Sequence, residues 1–230
     1  MADIFIGSNP RIEAVYEETP SGLCAIITHP HSQMGGNMDN NVVLAAWDTV
    51  LEKGFSALRF NFRGVGRSGG AFEDGIGEIA DLAATVEYVD CPVIIIGYSF
   101  GSWVAANFLK EVDLPCIFIS PPTGMFSFPS LKGFNVWSVV GSHDPFCNRE
   151  SLLDIMDKER VTIIDDVDHF WFGDEDRLQP YLEKKAGVDP VDILLTICLL
   201  HGFVMHIPDS FPATFLTLTG ACIHWENCPD

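Results

Sequence analysis

The pentapeptide Gly97-Tyr98-Ser99-Phe100-Gly101 is the segment whose residue types and spacing point most directly to chemistry. An apolar run, 93–96, leads into it, and a stretch with helical spacing, 102–110, leaves it. On a sharp strand-to-helix turn a serine presents its hydroxyl to a ligand, and glycines on either side remove side chains that would strike the strand and the helix. A serine hydroxyl is a poor nucleophile at neutral pH, so Ser99 needs a base, and that base needs an orienting carboxylate. In the chain order serine, acid, histidine, the acid is read as Asp144, in the turn 141–145 that follows an apolar run. The base is read as His169, in the loop 165–171 after the next run. Both have plainer readings: Asp144 before Pro145 suits a turn or a helix cap, and His169 suits packing between aromatic neighbours. Asp165, Asp166 and Asp168 are read as holding the loop, and His143 as an exposed turn residue.

Attack by Ser99 on a carbonyl would develop negative charge on its oxygen, which buried N–H donors stabilise. One such donor is the backbone N–H of Phe100. The other is expected from the loop 28–37, whose glycines permit close backbone approach. There the N–H of His31 is favoured, Ser32 is the runner-up, and Pro30 has no N–H to give. His29 is read as a structural tie between this loop and its neighbours.

Positioning these groups requires strands that end where the loops begin. Short runs rich in Val, Ile and Phe at 22–28, 55–62, 92–96, 115–119, 134–140 and 161–164 read as strands buried on both faces. Helical spacing occupies 41–53, 76–88, 102–110 and 150–158. This alternation predicts an α/β fold with a mostly parallel, doubly wound sheet, and 11–17 reads as an antiparallel edge strand. Only 121–134 separates the two strands where a lid would be inserted, so essentially no lid is expected. The open site would be bordered by Met125, Phe126, Phe128 and Trp171, of which Met125, Phe126 and Trp171 are the substrate-binding candidates. The loop Arg63-Gly64-Val65-Gly66-Arg67-Ser68 lacks the Gly-Lys-Ser/Thr ending of a phosphate loop and is read as a structural turn.

Of the 230 residues, 13 are basic and 32 acidic, for a net charge of −19, which argues against nucleic acid and anionic membranes as partners. Seven cysteines without a C-x-x-C pair indicate neither a zinc site nor a disulfide framework, and no metal or cofactor is expected. The N-terminus has no basic segment followed by an apolar stretch, so a reduced, cytoplasmic setting is the default expectation. The chain divides into an α/β domain over 1–186 and an atypical apolar tail over 187–230. The run 191–207 within that tail reads as a buried terminal helix or as a divergent segment that packs poorly. His201, His206 and the lack of a basic flank weigh against a membrane span there.

His29-Pro30-His31, Gly35-Gly36-Asn37-Met38-Asp39-Asn40, the run Leu58-Arg59-Phe60-Asn61-Phe62-Arg63-Gly64-Val65-Gly66-Arg67-Ser68 and the Ser99 pentapeptide together resemble a compact group of α/β-hydrolases. That group is similar to dienelactone-hydrolase-like and dipeptidyl-peptidase-like hydrolases, and the likeness spans 12–181. It implies the α/β-hydrolase fold and the Ser99, Asp144, His169 triad. Dienelactone hydrolases proper use a cysteine nucleophile, so the serine here removes the reason to assign their substrate. The expected reaction is acyl transfer from a small carboxylic ester or thioester to Ser99, followed by hydrolysis with water activated by His169. A noncatalytic binding or interaction protein on the same fold is the alternative, and a peptidase is a third option.

Overall fold

The apolar runs become an eight-stranded sheet in the computed structural model, which describes residues 2–186. The tail read over 187–230, including its apolar run, lies outside the described residues. The strands are β1 (Ala2–Ile6), β2 (Ile12–Glu17), β3 (Cys24–Thr28), β4 (Ser56–Phe60), β5 (Val93–Tyr98), β6 (Cys116–Ile119), β7 (Val136–Gly141) and β8 (Val161–Ile164). Their order across the sheet is β1-β2-β4-β3-β5-β6-β7-β8. From β4 to β8 every neighbouring pair is parallel, while β2 runs antiparallel to both β1 and β4.

Parallel strands bury both faces, so alternate residues of one strand feed two cores. In β5, Val93 and Ile95 join one core, and Ile94, Ile96 and Tyr98 join the other. In β3, Cys24 and Ile26 divide from Ala25 and Ile27 in the same way. The helices are α1 (Asn41–Glu52), α2 (Ile76–Tyr88), α3 (Phe100–Phe108), α4 (Arg149–Ile155) and α5 (Gln179–Ala186). Helices α2 and α3 pack together, as do α1 and α5. Val42, Val43, Ala46, Trp47 and Val50 of α1 share their core with Leu178 and Leu182, whereas Leu82 of α2 and Val104 of α3 belong to the other. Asn40 fixes the start of α1 by accepting the Val42 N–H at 3.0 Å, and Asn148 does the same for α4 through the Ser151 N–H at 3.0 Å.

Three local expectations change. The strand expected at the sheet edge, 11–17, is internal, because β1 pairs outside it in the register Ala2↔Tyr16 to Ile6↔Ile12. β1 is short and largely solvent-facing, so its apolar signal is weak. The last expected helix, 150–158, stops at Ile155, and Lys158–Arg160 forms a separate 3-10 turn. Helix α5 falls in a segment for which no helix was expected; its polar side faces solvent, while Leu182 and Tyr181 reach the core.

The Arg63 loop is structural, as read. The Arg63 guanidinium is buried, meets the Asp81 carboxylate with Nε and Nη2 at 2.8–3.1 Å, and reaches Glu73 at 2.6 Å. Ser68 accepts the Glu13 N–H at 2.9 Å and donates to the Asn61 carbonyl at 2.7 Å, which closes the turn onto β2 and β4. With its donors spent on protein carboxylates, the loop offers no phosphate cradle.

The parallel register places a row of loops at one edge. Thr28 pairs with Gly97, Tyr98 with Ile119, and Gly141 with Ile164, so β3, β5, β6, β7 and β8 end side by side. Ligands of open α/β sheets gather at this carboxyl edge. Ser99, the His29–His31 segment, Asp144 and His169 all lie in loops leaving it. Between β6 and β7 the chain from 120 to 135 contains no helix or strand, so no lid is inserted there.

Candidate active site

The turn from β5 into α3 forces Ser99 into a conformation that non-glycine residues rarely adopt, with φ 52° and ψ −120°. Such backbone costs on the order of 1–3 kcal/mol and persists only where its surroundings hold it. Here the Ser99 N–H donates to the Ile119 carbonyl at 2.9 Å, and the Ser99 carbonyl accepts from the Ser102 N–H at 2.9 Å and from the Ser102 hydroxyl at 2.5 Å. The flanking glycines are required by space. A Cβ on Gly97 would sit 2.6 Å from Ser102 Cα, and one on Gly101 would sit 2.3 Å from Thr28 Oγ1 and 2.9 Å from the His29 carbonyl oxygen. The first N–H groups of α3 have no partner within the helix and point, with the positive end of its dipole, toward the serine.

Three side chains from three loops converge. The Ser99 hydroxyl lies 2.9 Å from His169 Nε2, and His169 Nδ1 lies 2.9 and 3.0 Å from the two Asp144 oxygens. Because a carboxylate only accepts, Nδ1 carries the proton, which leaves the Nε2 lone pair facing the serine hydroxyl. Asp144 has no exposed side-chain surface, and its Oδ1 also accepts the Phe146 and Cys147 N–H groups at 2.9 and 3.2 Å. Those donors share the charge of the buried carboxylate and fix its orientation. The sequence reading of these three residues and the geometry agree on which side chains meet.

The His169 loop is pinned from several directions. Asp168 Oδ1 accepts the Phe170 and Trp171 N–H groups at 2.8 and 3.1 Å, and the Tyr98 hydroxyl donates to the His169 carbonyl at 3.0 Å. Asp168 thus holds the loop, as expected. His143 is exposed and only loosely faces Asp166, at 3.8 Å, which fits an exposed turn residue.

Trp171 does not border the site, contrary to expectation. It has no exposed surface, lies in the same core as Trp47 and Ile119, and its indole N–H donates to the Ser120 hydroxyl at 2.9 Å. The Asp168 turn and the positive φ of Trp171, 57°, rotate this side chain inward and leave Phe170 and Phe172 outward. Met125 is exposed, and Phe126 is half-buried, with its ring centroid 5.7 Å from that of Phe100 and 5.5 Å from that of Trp103. Sequence reasoning missed Phe146 and Phe170, whose rings stand edge-on to the His169 imidazole at centroid distances of 4.7 and 5.5 Å. Their position within two residues of Asp144 and His169 was the available signal.

The loop after β3 carries two histidines with different settings. His31 packs against Phe100 and Phe72, centroids 4.7 and 4.9 Å apart, and its Nδ1 accepts the Gln33 N–H at 3.3 Å. Desolvation lowers its pKa despite the carboxylates of Glu78 and Asp74 nearby. His29 is fully buried, accepts the Phe62 N–H on Nε2 at 3.0 Å, and donates from Nδ1 to the Pro30 carbonyl at 2.6 Å. It ties this loop to the segment that leaves β4, and burial pushes its pKa down to about 4. An unfolded imidazole titrates near ~6.5, so between that pH and about 4 the unfolded chain binds a proton that the native His29 refuses. The His29 contribution to stability is therefore fully present above about pH 6.5 and falls as the pH is lowered. Urea unfolding at stepped pH should show His29→Asn less stable at neutral pH, with an acid-side slope smaller than wild type by about one proton. An unchanged slope would contradict this burial-linked titration.

A family model described as the alpha/beta hydrolase family matches residues 42–134, which include the Ser99 turn. An uncharacterized protein of Rickettsia prowazekii is 31% identical over 192 residues, covering 73% of this chain and 80% of that protein. The chain belongs to the α/β-hydrolase family. Among solved structures, an alpha-beta serine hydrolase homologue from Coxiella burnetii superposes with a TM-score of 0.72 at 26% identity, over 80% of this chain and 96% of that one. A serine hydrolase from Xanthomonas campestris described as lacking a lid gives 0.72 at 27% identity, over 80% and 93%. Among the described residues there is no helix long and apolar enough to cross a membrane, and no cluster of three residues able to hold a metal ion.

Proposed function

We propose that the protein is a serine hydrolase that cleaves small carboxylic esters or thioesters through an acyl-enzyme intermediate. The observation that carries this reading is the unbroken Asp144–His169–Ser99 relay, each link about 2.9 Å, ending on a strained and nearly buried serine. In the first half-reaction Ser99 Oγ attacks the carbonyl carbon while its proton passes to His169 Nε2, and Asp144 stabilises the imidazolium. The Phe100 N–H and the His31 N–H are assigned to the carbonyl oxygen, one from the start of α3 and one from the loop packed on it. Collapse of the tetrahedral intermediate breaks the carbon–oxygen bond of an ester, or the carbon–sulfur bond of a thioester, and the leaving group takes the Nε2 proton. In the second half-reaction water gives a proton to His169 and attacks the acyl carbon, and Ser99 recovers its proton as the acid departs.

The lidless edge and the half-buried Phe126 ring beside Phe100 favour an apolar acyl chain over a polar one. The test is a series of p-nitrophenyl esters of increasing acyl length, with an acyl thioester in parallel, on the full chain. Saturable hydrolysis that varies with acyl length supports the reading. Folded protein that hydrolyses none of them above the buffer rate overturns it.

A further inference from the structure

We propose that Phe146, Phe170 and Phe172 form the subsite for the alcohol side of the ester and select planar, aromatic leaving groups. This inference rests on the acyl-hydrolase reading above. It concerns a part of the substrate that the triad alone does not specify.

The chemistry places the leaving group. When the tetrahedral intermediate collapses, the carbon–oxygen bond breaks and the departing oxygen takes the proton held on His169 Nε2. The oxygen must therefore lie within about 3 Å of Nε2, which brings whatever it carries beside the imidazole and within reach of the rings packed on it. Those rings are known. Tyr98 backs the imidazole from the core, 98% buried, with ring centroids 5.7 Å apart. Toward solvent the imidazole meets Phe146, half-buried, with planes at 86°, and Phe170, 44% exposed, with planes at 87°. Phe170 continues outward to Phe172, 73% exposed, with centroids 6.1 Å apart and planes 14° from parallel. Phe146 meets Phe170 edge to face at 6.1 Å, so the three rings form one continuous wall beside the proton donor.

Two exposed phenylalanines would gain by folding inward, since taking an apolar ring out of water is favourable. The loop does not let them. Trp171 between them is locked into the core, Asp168 holds the Phe170 N–H, Asn41 donates to the Phe170 carbonyl at 3.0 Å, and Glu175 accepts the Gly173 N–H at 2.8 Å. An apolar wall held open in this way marks a preformed contact surface. Near-parallel and edge-to-face rings leave flat faces and edges free, and a third aromatic ring meets these better than a flexible alkyl chain does. The acyl chain is assigned a separate surround, at His31 and Phe126, whose rings pack against Phe100 at centroid distances of 4.7 and 5.7 Å.

The test uses the full chain and two substrates with the same acetyl group and leaving groups of similar acidity, phenyl acetate and hexafluoroisopropyl acetate. Phe170→Ala is expected to lower the ratio of kcat/KM for phenyl over fluoroalkyl ester by about tenfold, with Phe172→Ala lowering it less. Phe170→Leu, which keeps apolar bulk but not the flat ring, should resemble Phe170→Ala. If Phe170→Ala turns over neither ester, the ratio in Phe172→Ala decides, because that ring does not touch the imidazole. An unchanged ratio, or equal losses for both esters, overturns the subsite while leaving the hydrolase reading intact. Wild type that cleaves neither ester and leaves Ser99 unmodified by an active-site probe overturns the hydrolase reading itself.

Discussion

Ser99→Ala is expected to lower ester turnover by about 100,000-fold, to a residue of activity that depends on the oxyanion donors alone. The size of the effect follows from the relay acting as a unit. With Oγ gone, His169 Nε2 has no proton to accept and no covalent intermediate forms, so Asp144 orients a base without a task. The substitution should leave the fold nearly unchanged, because the Ser99 N–H bond to Ile119 and its carbonyl bonds to Ser102 involve only the backbone of residue 99. The φ of 52° is no harder for alanine than for serine. Steady-state turnover of a p-nitrophenyl ester, with the unfolding midpoint measured in parallel, checks this. A loss of less than about tenfold in a folded variant would mean that another residue attacks the carbonyl.

Asp144→Asn is expected to cost about 10,000-fold in kcat with a much smaller change in KM. An asparagine fits the same space, but its amide can turn an N–H toward His169 Nδ1. That drives the imidazole proton to Nε2, where it faces Ser99 as a donor and not as a base. The variant also loses the charge that stabilises the imidazolium, and its amide cannot accept as strongly from the Phe146 and Cys147 N–H groups at 2.9 and 3.2 Å. A modest fall in stability should accompany the large fall in rate, and the two are separable by measuring kcat well below the unfolding midpoint. Near-normal kcat in Asp144→Asn would show that the carboxylate only caps the 141–145 turn, the plainer role its position before Pro145 allows.

These two predictions rest on residues that were legible in the sequence, for definite reasons. The Ser99 turn is a local feature: an apolar strand, two glycines at fixed offsets and a helix are all contiguous. Asp144 and His169 are distant in sequence, yet each follows an apolar run, and parallel topology sends the ends of such runs to one edge of the sheet. What was not legible depends on torsions and tertiary anchors. Trp171 and Phe170 are adjacent aromatic residues after the same histidine, and nothing in their types says which turns inward. The Asp168 turn, the positive φ at Trp171 and the Ser120 hydroxyl decide it. Likewise β1 carries too short and too exposed an apolar pattern to announce itself, so β2 was expected at an edge it does not occupy. The aromatic wall beside His169 shares this origin, because Phe146 and Phe172 are 26 positions apart and meet only through Phe170.

The central claim, that Ser99 is a nucleophile activated by His169 and Asp144, is tested most directly by mass analysis after treatment with an alkyl fluorophosphonate. Attack by an activated serine expels fluoride and leaves a phosphonyl group on that oxygen alone. Wild type should gain one adduct mapping to the peptide that contains Ser99, Ser99→Ala should gain none, and Asp144→Asn should label far more slowly. Folded wild type without an adduct on Ser99, or a Ser99→Ala variant that labels as fast as wild type, would contradict the account.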